Sequence, residues 1–391
     1  MKLVSERAIS AAAELDTVSD FFRNYRMGVP DEHVRADLTF GNPHEMALPK
    51  LVDSLKRRIE PRRVDWFAYK SNEQEAREVV ARALKAELAL AFEPDDIAMT
   101  PGAFGAIGVA FSMLLDPGDE CVIPVPSWFS YASMLRVRNA VPVKVPLNDQ
   151  TWDLDVAAIE RAITRRTRII VINTPHNPTG VVYSRERLSE LAEMLKRKSA
   201  EMGRPIFILS DEPYRRIRFD GVPFTSPAQV YAWTLIDYSY AKILLAPGLR
   251  LGYLAICPDM PAQARAELRQ LLMAVQISLG WVFPDALAQY AVADLEAVSI
   301  DIETFQRKRD RVLGALTQWG YSLIKPAGAF YVWGKAPGGD ASAFTRGLAD
   351  HGVYVMPGTL FERPGEFRIS LTGSSEMIEA SLPAFEAMAR S

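Results

Sequence analysis

A serine, a lysine and an arginine fall close together in the stretch Ser239-Tyr240-Ala241-Lys242, followed by Pro247-Gly248-Leu249-Arg250. Each could do chemistry. Desolvation disfavours an ammonium, so a lysine amine kept from water is a usable nucleophile or base. A hydroxyl and the fixed fork of a guanidinium together suit a phosphate. The apolar runs on either side, 232–236 and 251–256, read as buried strands and would supply dry surroundings for a lysine on the loop between them. A solvated lysine beside a solvated arginine is the plain alternative, and this spacing alone does not choose between the two.

Holding such groups in place takes a framework, and the chain has the pattern of one. Strand signals at 120–125, 141–145, 168–173 and 205–210 alternate with helical periodicity at 104–115, 128–138, 155–163 and 186–202. Alternation of this kind implies right-handed crossovers and a mostly parallel sheet covered by helices. Ile169-Ile170-Val171-Ile172 is apolar throughout, as a parallel strand buried on both faces must be. Helical patterns at 48–59 and 72–91 precede this region, and long amphipathic patterns at 261–279 and 285–313 follow it. The remainder mixes strands near 321–324, 329–333, 353–356 and 366–371 with helices near 341–350 and 375–389. The fold class is therefore α/β: a large domain built on a mostly parallel sheet, plus a smaller α+β domain. Residues 1–45 read as an N-terminal arm and part of the small domain, irregular but for a helical patch at 8–15 and a short strand at 38–43. Residues 46–290 read as the large domain and 291–391 as the small C-terminal domain.

In open parallel sheets, ligands sit beyond the carboxyl ends of the strands. The residues just past each apolar run are Pro126-Ser127-Trp128, then Asn173 through Asn177-Pro178-Thr179-Gly180, then Asp211-Glu212-Pro213-Tyr214, then Asp237-Tyr238-Ser239 and Lys242. Gly102-Ala103-Phe104 opens a helix, where free amides and the dipole favour an anion. Gly102, Gly105 and Gly108 do not have the dinucleotide-binding spacing.

Taken in order, these motifs resemble those of the pyridoxal-phosphate-dependent aminotransferases of the aspartate aminotransferase superfamily, class I/II. The matching residues are Asn-Pro-Thr-Gly at 177–180, Asp-Glu-Pro-Tyr at 211–214, Ser-Tyr-Ala-Lys at 239–242 with Arg250, and Phe-Arg-Ile-Ser at 367–370. The resemblance spans nearly the whole chain and implies a set of roles. Lys242 would hold pyridoxal 5'-phosphate as a Schiff base and then act as the proton-moving base. Asp211 would pair with the pyridinium nitrogen, and Tyr214 and Asn177 with the phenolic oxygen. Trp128 would stack on the ring, while Gly102, Ala103, Phe104, Ser239 and Arg250 would take the phosphate. Tyr69 would reach the phosphate of a neighbouring subunit, which makes a homodimer with shared sites part of the expectation. Arg368 would clamp the α-carboxylate of an amino acid or 2-oxo acid, with Gly41 and Asn177 beside it. Ala241 departs from the hydroxyl residue common before the lysine, and Lys70-Ser71-Asn72-Glu73 lacks a glycine common after the tyrosine.

Composition narrows the alternatives. Net charge is −3 over 391 residues, with 49% hydrophobic and 24% charged residues, so no positive field recommends nucleic acid. No stretch is apolar enough to span a membrane, and the N-terminus has no signal-peptide core, which points to the cytoplasm. Cys121 and Cys257 read as buried free thiols. His33, His44 and His351 lack metal-ligand spacing, and His176 reads as a turn residue. Amino transfer leads. A lyase on the same fold, breaking a different bond by β-elimination or decarboxylation, and a non-catalytic cofactor-binding sensor remain as alternatives. Aromatic residues near Trp128, Phe129 and Tyr131 hint at a non-acidic substrate.

Overall fold

The computed structural model describes residues 3–26, 29–281 and 283–390. In chain order the strands are β1 (Ala36–Asp37), β2 (Ile97–Thr100), β3 (Glu120–Val125), β4 (Val141–Pro146), β5 (Thr167–Asn173), β6 (Phe207–Asp211), β7 (Thr234–Ser239), β8 (Gly252–Ile256), β9 (Tyr331–Lys335), β10 (Val353–Tyr354), β11 (Met356–Pro357) and β12 (Glu366–Ser370). Seven of them form one sheet in the order β2-β8-β7-β6-β5-β3-β4. The strands from β7 to β4 are all parallel, and β8 runs antiparallel to both its neighbours. The α/β class read from the alternation is the one found.

The apolar run of β5 explains how the sheet is held. Side chains alternate between faces along a strand. Ile169 and Val171 pack with the helix Gly102–Leu114 on one face, while Ile170 and Ile172 pack with the helix Arg185–Met202 on the other. Both faces are therefore dry, and the polar residues at the strand ends are left to line the edge. A separate antiparallel sheet, β11-β12-β9, lies in the C-terminal region, and β1 pairs with β10.

Several elements differ from the sequence-based expectation. Of the irregular arm expected over 1–45, residues 1, 2, 27 and 28 lie outside the described residues. The rest is largely helical: Glu6–Ala13, Asp16–Phe21 and a π-turn at Phe22–Arg26. Ser5 caps the first helix, Phe22 stacks on Phe40 with centroids 4.8 Å apart, and the Tyr25 hydroxyl donates to the Thr345 carbonyl at 3.0 Å. These distant contacts carry no local signal. The short strand expected at 38–43 lies instead at β1. The pattern at 285–313 is two helices, Ala286–Leu295 and Ile302–Gln318, the second begun by the Asp301 cap. The segment at 321–324 makes only an isolated bridge, Leu323 to Gly334. The expected strand at 353–356 divides at Val355, because its two halves join different sheets.

β8 carries a close approach that the site depends on. A Cβ added to Gly252 would lie 2.3 Å from the Tyr238 carbonyl oxygen and 2.8 Å from Gly102 Cα. Those are backbone atoms and cannot swing aside. Gly252→Ala is expected to lower the unfolding free energy by about 1–3 kcal/mol, read from urea denaturation; an unchanged midpoint would mean that β8 and the helix start are not in this contact.

Candidate active site

The carboxyl ends of β5, β6 and β7 open into a cavity of about 360 Å³. Of the residues singled out from the sequence, Gly41, Ala103, Phe104, Trp128, Asn177, Asp211, Tyr214, Ser239, Lys242, Arg250 and Arg368 all lie on its wall. Gly102 sits just behind it, with a position for a Cβ 3.0 Å from an Arg250 nitrogen and a backbone φ of +72° that favours glycine. Tyr69 does not join them. Its side chain is fully exposed on the outside of the chain.

Asp211 ends β6 and is buried. Its Oδ2 accepts from the Tyr131 hydroxyl and from Asn173 Nδ2 at 3.2 Å, whereas Oδ1 has no partner. Burial pushes this carboxyl up, opposed by the neighbouring Asp237 carboxyl, the Tyr131 hydroxyl and the charge of Lys242. Asn173 ties the neighbouring strand in: its Nδ2 also donates to the Asp211 carbonyl at 2.8 Å, and its Oδ1 accepts from the Asn177 amide at 2.7 Å. A buried acceptor oxygen left free beside a cavity is suited to an incoming cationic N–H.

Lys242 lies on a one-turn helix, Tyr240–Ile243, and not on an open loop. Ser239 ends β7 and caps that turn, its Oγ accepting from the Ala241 amide at 3.3 Å. The turn fixes the direction in which the lysine leaves the sheet edge. Lys242 Nζ lies 5.8 Å from the Tyr214 ring centroid and 5.9 Å from that of Phe330, and no hydrogen bond or salt bridge holds it among the described residues. Nearby, the helix Gly102–Leu114 starts without a side-chain cap, so its first amides are free. Arg250 stands at that helix end, donating to the carbonyls of Pro247 (2.9 Å) and Pro101 (3.2 Å). Uncapped amides, a hydroxyl and a guanidinium thus converge as an anion-binding corner.

Arg368 approaches from β12 and is buried. It donates to Asn177 Oδ1 at 2.9 Å and to the Thr39 carbonyl at 2.6 Å, and its guanidinium lies 4.0 Å from the Tyr331 ring centroid. Its Nε has no partner. Burial lowers the pKa of this group, which means that its charge is under-compensated. Tyr214 is buried too, its hydroxyl 3.1 Å from that of Tyr331, and burial pushes it well above the usual phenol range.

Sequence reasoning did not find Phe22 or Tyr331 as site residues, nor the bond from Tyr131 to Asp211 or the adjacency of Asp237 and Asp211. Phe22 comes from the N-terminal arm and Tyr331 from β9, far away in sequence. Asp237 did carry a signal: it is a charged residue at the end of an apolar run.

A parallel sheet whose edge gathers an unpaired lysine, a buried aspartate and an arginine-bearing anion corner defines a transferase fold with its site between two sheets. Residues 36–385 match the family described as aminotransferase class I and II. Relatives include a probable aspartate/prephenate aminotransferase of Thermus aquaticus, 32% identical over 361 residues and covering 89% of this chain and 90% of the other. The aspartate/prephenate aminotransferase of Thermus thermophilus is also 32% identical, covering 89% of each chain. Among solved structures, an amino transferase from Eubacterium rectale superposes with a TM-score of 0.92 at 31% identity, covering 100% of this chain and 99% of that one. The Thermus thermophilus aspartate aminotransferase with maleate gives 0.82 at 28% identity, covering 99% and 100%. The chain belongs to the aminotransferase class I and II family, and it is an enzyme that transfers amino groups.

The turn 173–180 that carries Asn177 also buries His176, whose Nδ1 lies 2.7 Å from Thr179 Oγ1. Burial lowers its pKa from 6.5 to about 3. The folded chain therefore binds fewer protons than the unfolded one between these values, so this group costs stability as pH falls from 6.5 towards 3. The loss attributable to His176 is at most about 5 kcal/mol. The pH dependence of the urea midpoint is expected to be shallower, by about one proton, in His176→Gln. Identical slopes in both proteins would overturn the assignment.

Proposed function

We propose that the cavity binds pyridoxal 5'-phosphate and that the chain moves an amino group between an amino acid with an apolar or aromatic side chain and a 2-oxo acid. The observation carrying this reading is the pairing, on one cavity wall, of a buried carboxylate with a free oxygen and a lysine amine without a salt bridge. Bound there, the group supplies an electron sink for the substrate carbon and a carrier for the amino group. Lys242 Nζ would hold the group covalently and would be the base that moves the proton at the substrate Cα. Asp211 would accept the ring N–H through its free oxygen. Tyr214 and the Nδ2 of Asn177 would serve the phenolic oxygen; Asn177 Oδ1 is already taken by Arg368, which leaves its amide end to donate. The first amides of the helix Gly102–Leu114, through Gly102, Ala103 and Phe104, would hold the phosphate together with Ser239 and Arg250. Trp128 would stack on the ring. Arg368 would fork onto the substrate carboxylate, with Gly41 and Asn177 alongside.

The Thermus relatives above are named for aspartate or prephenate. A second acid group on a substrate needs a second cation, because a buried carboxylate without a partner is costly. Among the described residues of this chain, the cations on the cavity wall are Lys242, Arg250 and Arg368, each with a task in this reading. The same wall instead carries Phe22, Phe40, Phe129 and Tyr331, and Tyr331 lies against the Arg368 guanidinium. We therefore assign the donor an apolar or aromatic side chain.

A homodimer fits the outer surface. Val64, Phe67 and Tyr69 are exposed together on one segment, which is unfavourable unless a second copy covers them. Tyr69 would then serve the partner's phosphate. The large sheet lies wholly within 97–256 and the small sheet within 331–370, which supports the division at 46–290 and 291–391 with 1–45 joined to the latter. No helix among the described residues is long and apolar enough to cross a membrane, and two buried free thiols fit a reducing cytoplasm.

Two experiments test the reading. Lys242→Ala is expected to abolish both turnover and the covalently bound chromophore, as judged by absorbance and by mass after borohydride reduction. Normal turnover in that variant would refute the assignment. In a donor screen followed by the bound chromophore, phenylalanine or leucine is expected to exceed aspartate in kcat/KM by on the order of a hundredfold; a preference for aspartate would overturn the side-chain assignment and leave the cofactor assignment standing.

A further inference from the structure

Behind Asp211 stands a second carboxyl group. Asp237 is the register partner of Asp211 across β6 and β7. Partners on adjacent strands point to the same face of a sheet, about 4.8 Å apart. Asp237 is fully buried, it does not line the cavity, and no N–H or O–H of the described residues reaches either of its oxygens. It is an acid group that no step so far uses.

We propose that Asp237 is a positioning residue: its carboxyl group keeps a proton, donates it as a hydrogen bond to Asp211, and so holds Asp211 ionised and aimed into the cavity. The proposal rests on the reading that Asp211 accepts the ring N–H of the cofactor.

The groups around the pair decide where the proton sits. Two buried carboxylates in contact cannot both be ionised, so the pair retains one proton. Asp237 faces Asp211 and, further off, Glu212, and no cation acts on it. Glu212 is already engaged by Ser210, Ser226 and Arg215. Burial and the charge of Asp211 therefore push Asp237 well up. Asp211, by contrast, is relieved by hydrogen bonds from Tyr131 and Asn173 and by the charge of Lys242. The proton belongs on Asp237. Asp211 then has Tyr131, Asn173 and Asp237 as donors from behind. Each draws charge from it and lowers its basicity. It can pair with a ring N–H without removing that proton.

Four measurements test this on the intact chain. Infrared spectra of the cofactor-free protein at neutral pH should show the carbonyl stretch of a protonated carboxylic acid, lost in Asp237→Asn; its absence from the wild type would overturn the shared proton. In the loaded protein, Asp237→Val removes the donor. Pyridoxal phosphate affinity should fall about tenfold, and the pH midpoint of the visible-spectrum transition should rise by about half a unit. Asp237→Asn keeps an N–H donor and should restore both to near the wild type. Wild-type affinity and midpoint in Asp237→Val, or an Asn variant as impaired as the Val one, would sink the proposal. The valine variant should be no less stable than the wild type in urea, since an apolar group replaces a buried acid. A wild type that takes up no pyridoxal phosphate would refute the cofactor reading, while the infrared measurement would still decide the shared proton.

Discussion

The registry of three parallel strands is the constraint on which the rest depends. β5, β6 and β7 pair so that Asn173, Asp211 and Asp237 stand in one row across the sheet. A slip of one residue would turn Asp211 to the opposite face, into an apolar core with no polar partner. The apolar residues of β5 that sort onto two helix layers fix that registry, and Asn173 locks it at the edge with bonds to both Asp211 and Asn177. The hydrophobic sorting and the polar row are one arrangement seen from two sides. The first excludes water, and the second gains its electrostatic strength from that exclusion.

Arg368 shows how the smaller sheet contributes. Its guanidinium touches Asn177 from the large sheet edge, the Thr39 carbonyl from the N-terminal region and the Tyr331 ring from β9. A desolvated cation–π contact is worth about 2 kcal/mol. Withdrawing a cation from water costs several kcal/mol. Two ring contacts and three neutral acceptors, the Met356 sulfur among them, bring no negative charge to offset that cost, and Nε has no partner at all. The arginine is therefore held in place by neutral groups while its charge waits for an anion. Geometry is set before the ligand arrives, and the electrostatic balance is completed by the ligand.

Much of this was legible in the sequence, for reasons that particular elements make clear. β3, β5 and β6 lie within a residue or two of where apolar runs placed them, because a strand buried on both faces needs an unbroken run. Asn177, Asp211 and Lys242 were legible because ligands collect at strand ends. The N-terminal helices were not, since Phe22 is held by stacking on Phe40 and Tyr25 by the Thr345 carbonyl, and neither partner is near in sequence. Placing Lys242 on a loop failed because a four-residue helix has no periodicity to detect, and its cap, Ser239, is also the last residue of a strand. The partnership of Tyr131 with Asp211 required the helix Ser130–Arg136 to be docked over the sheet, which only the tertiary packing decides.

The charges on the cavity wall fix the charge of what enters it. Lys242, Arg250 and Arg368 are cationic groups, and Asp211 is the carboxylate opposite them. The proton proposed on Asp237 would remove the second negative charge that the sequence places next to it. The excess is positive and is divided between two places: the corner where the helix Gly102–Leu114 begins, and the pocket of Arg368. A ligand set that balances it must bring an anion to each, with a cationic nitrogen to meet Asp211 between them. A phosphorylated pyridine ring together with an amino or oxo acid has that distribution, and a single uncharged substrate does not. The spacing of charge, more than any one residue, is what makes the cavity specific for the chemistry proposed.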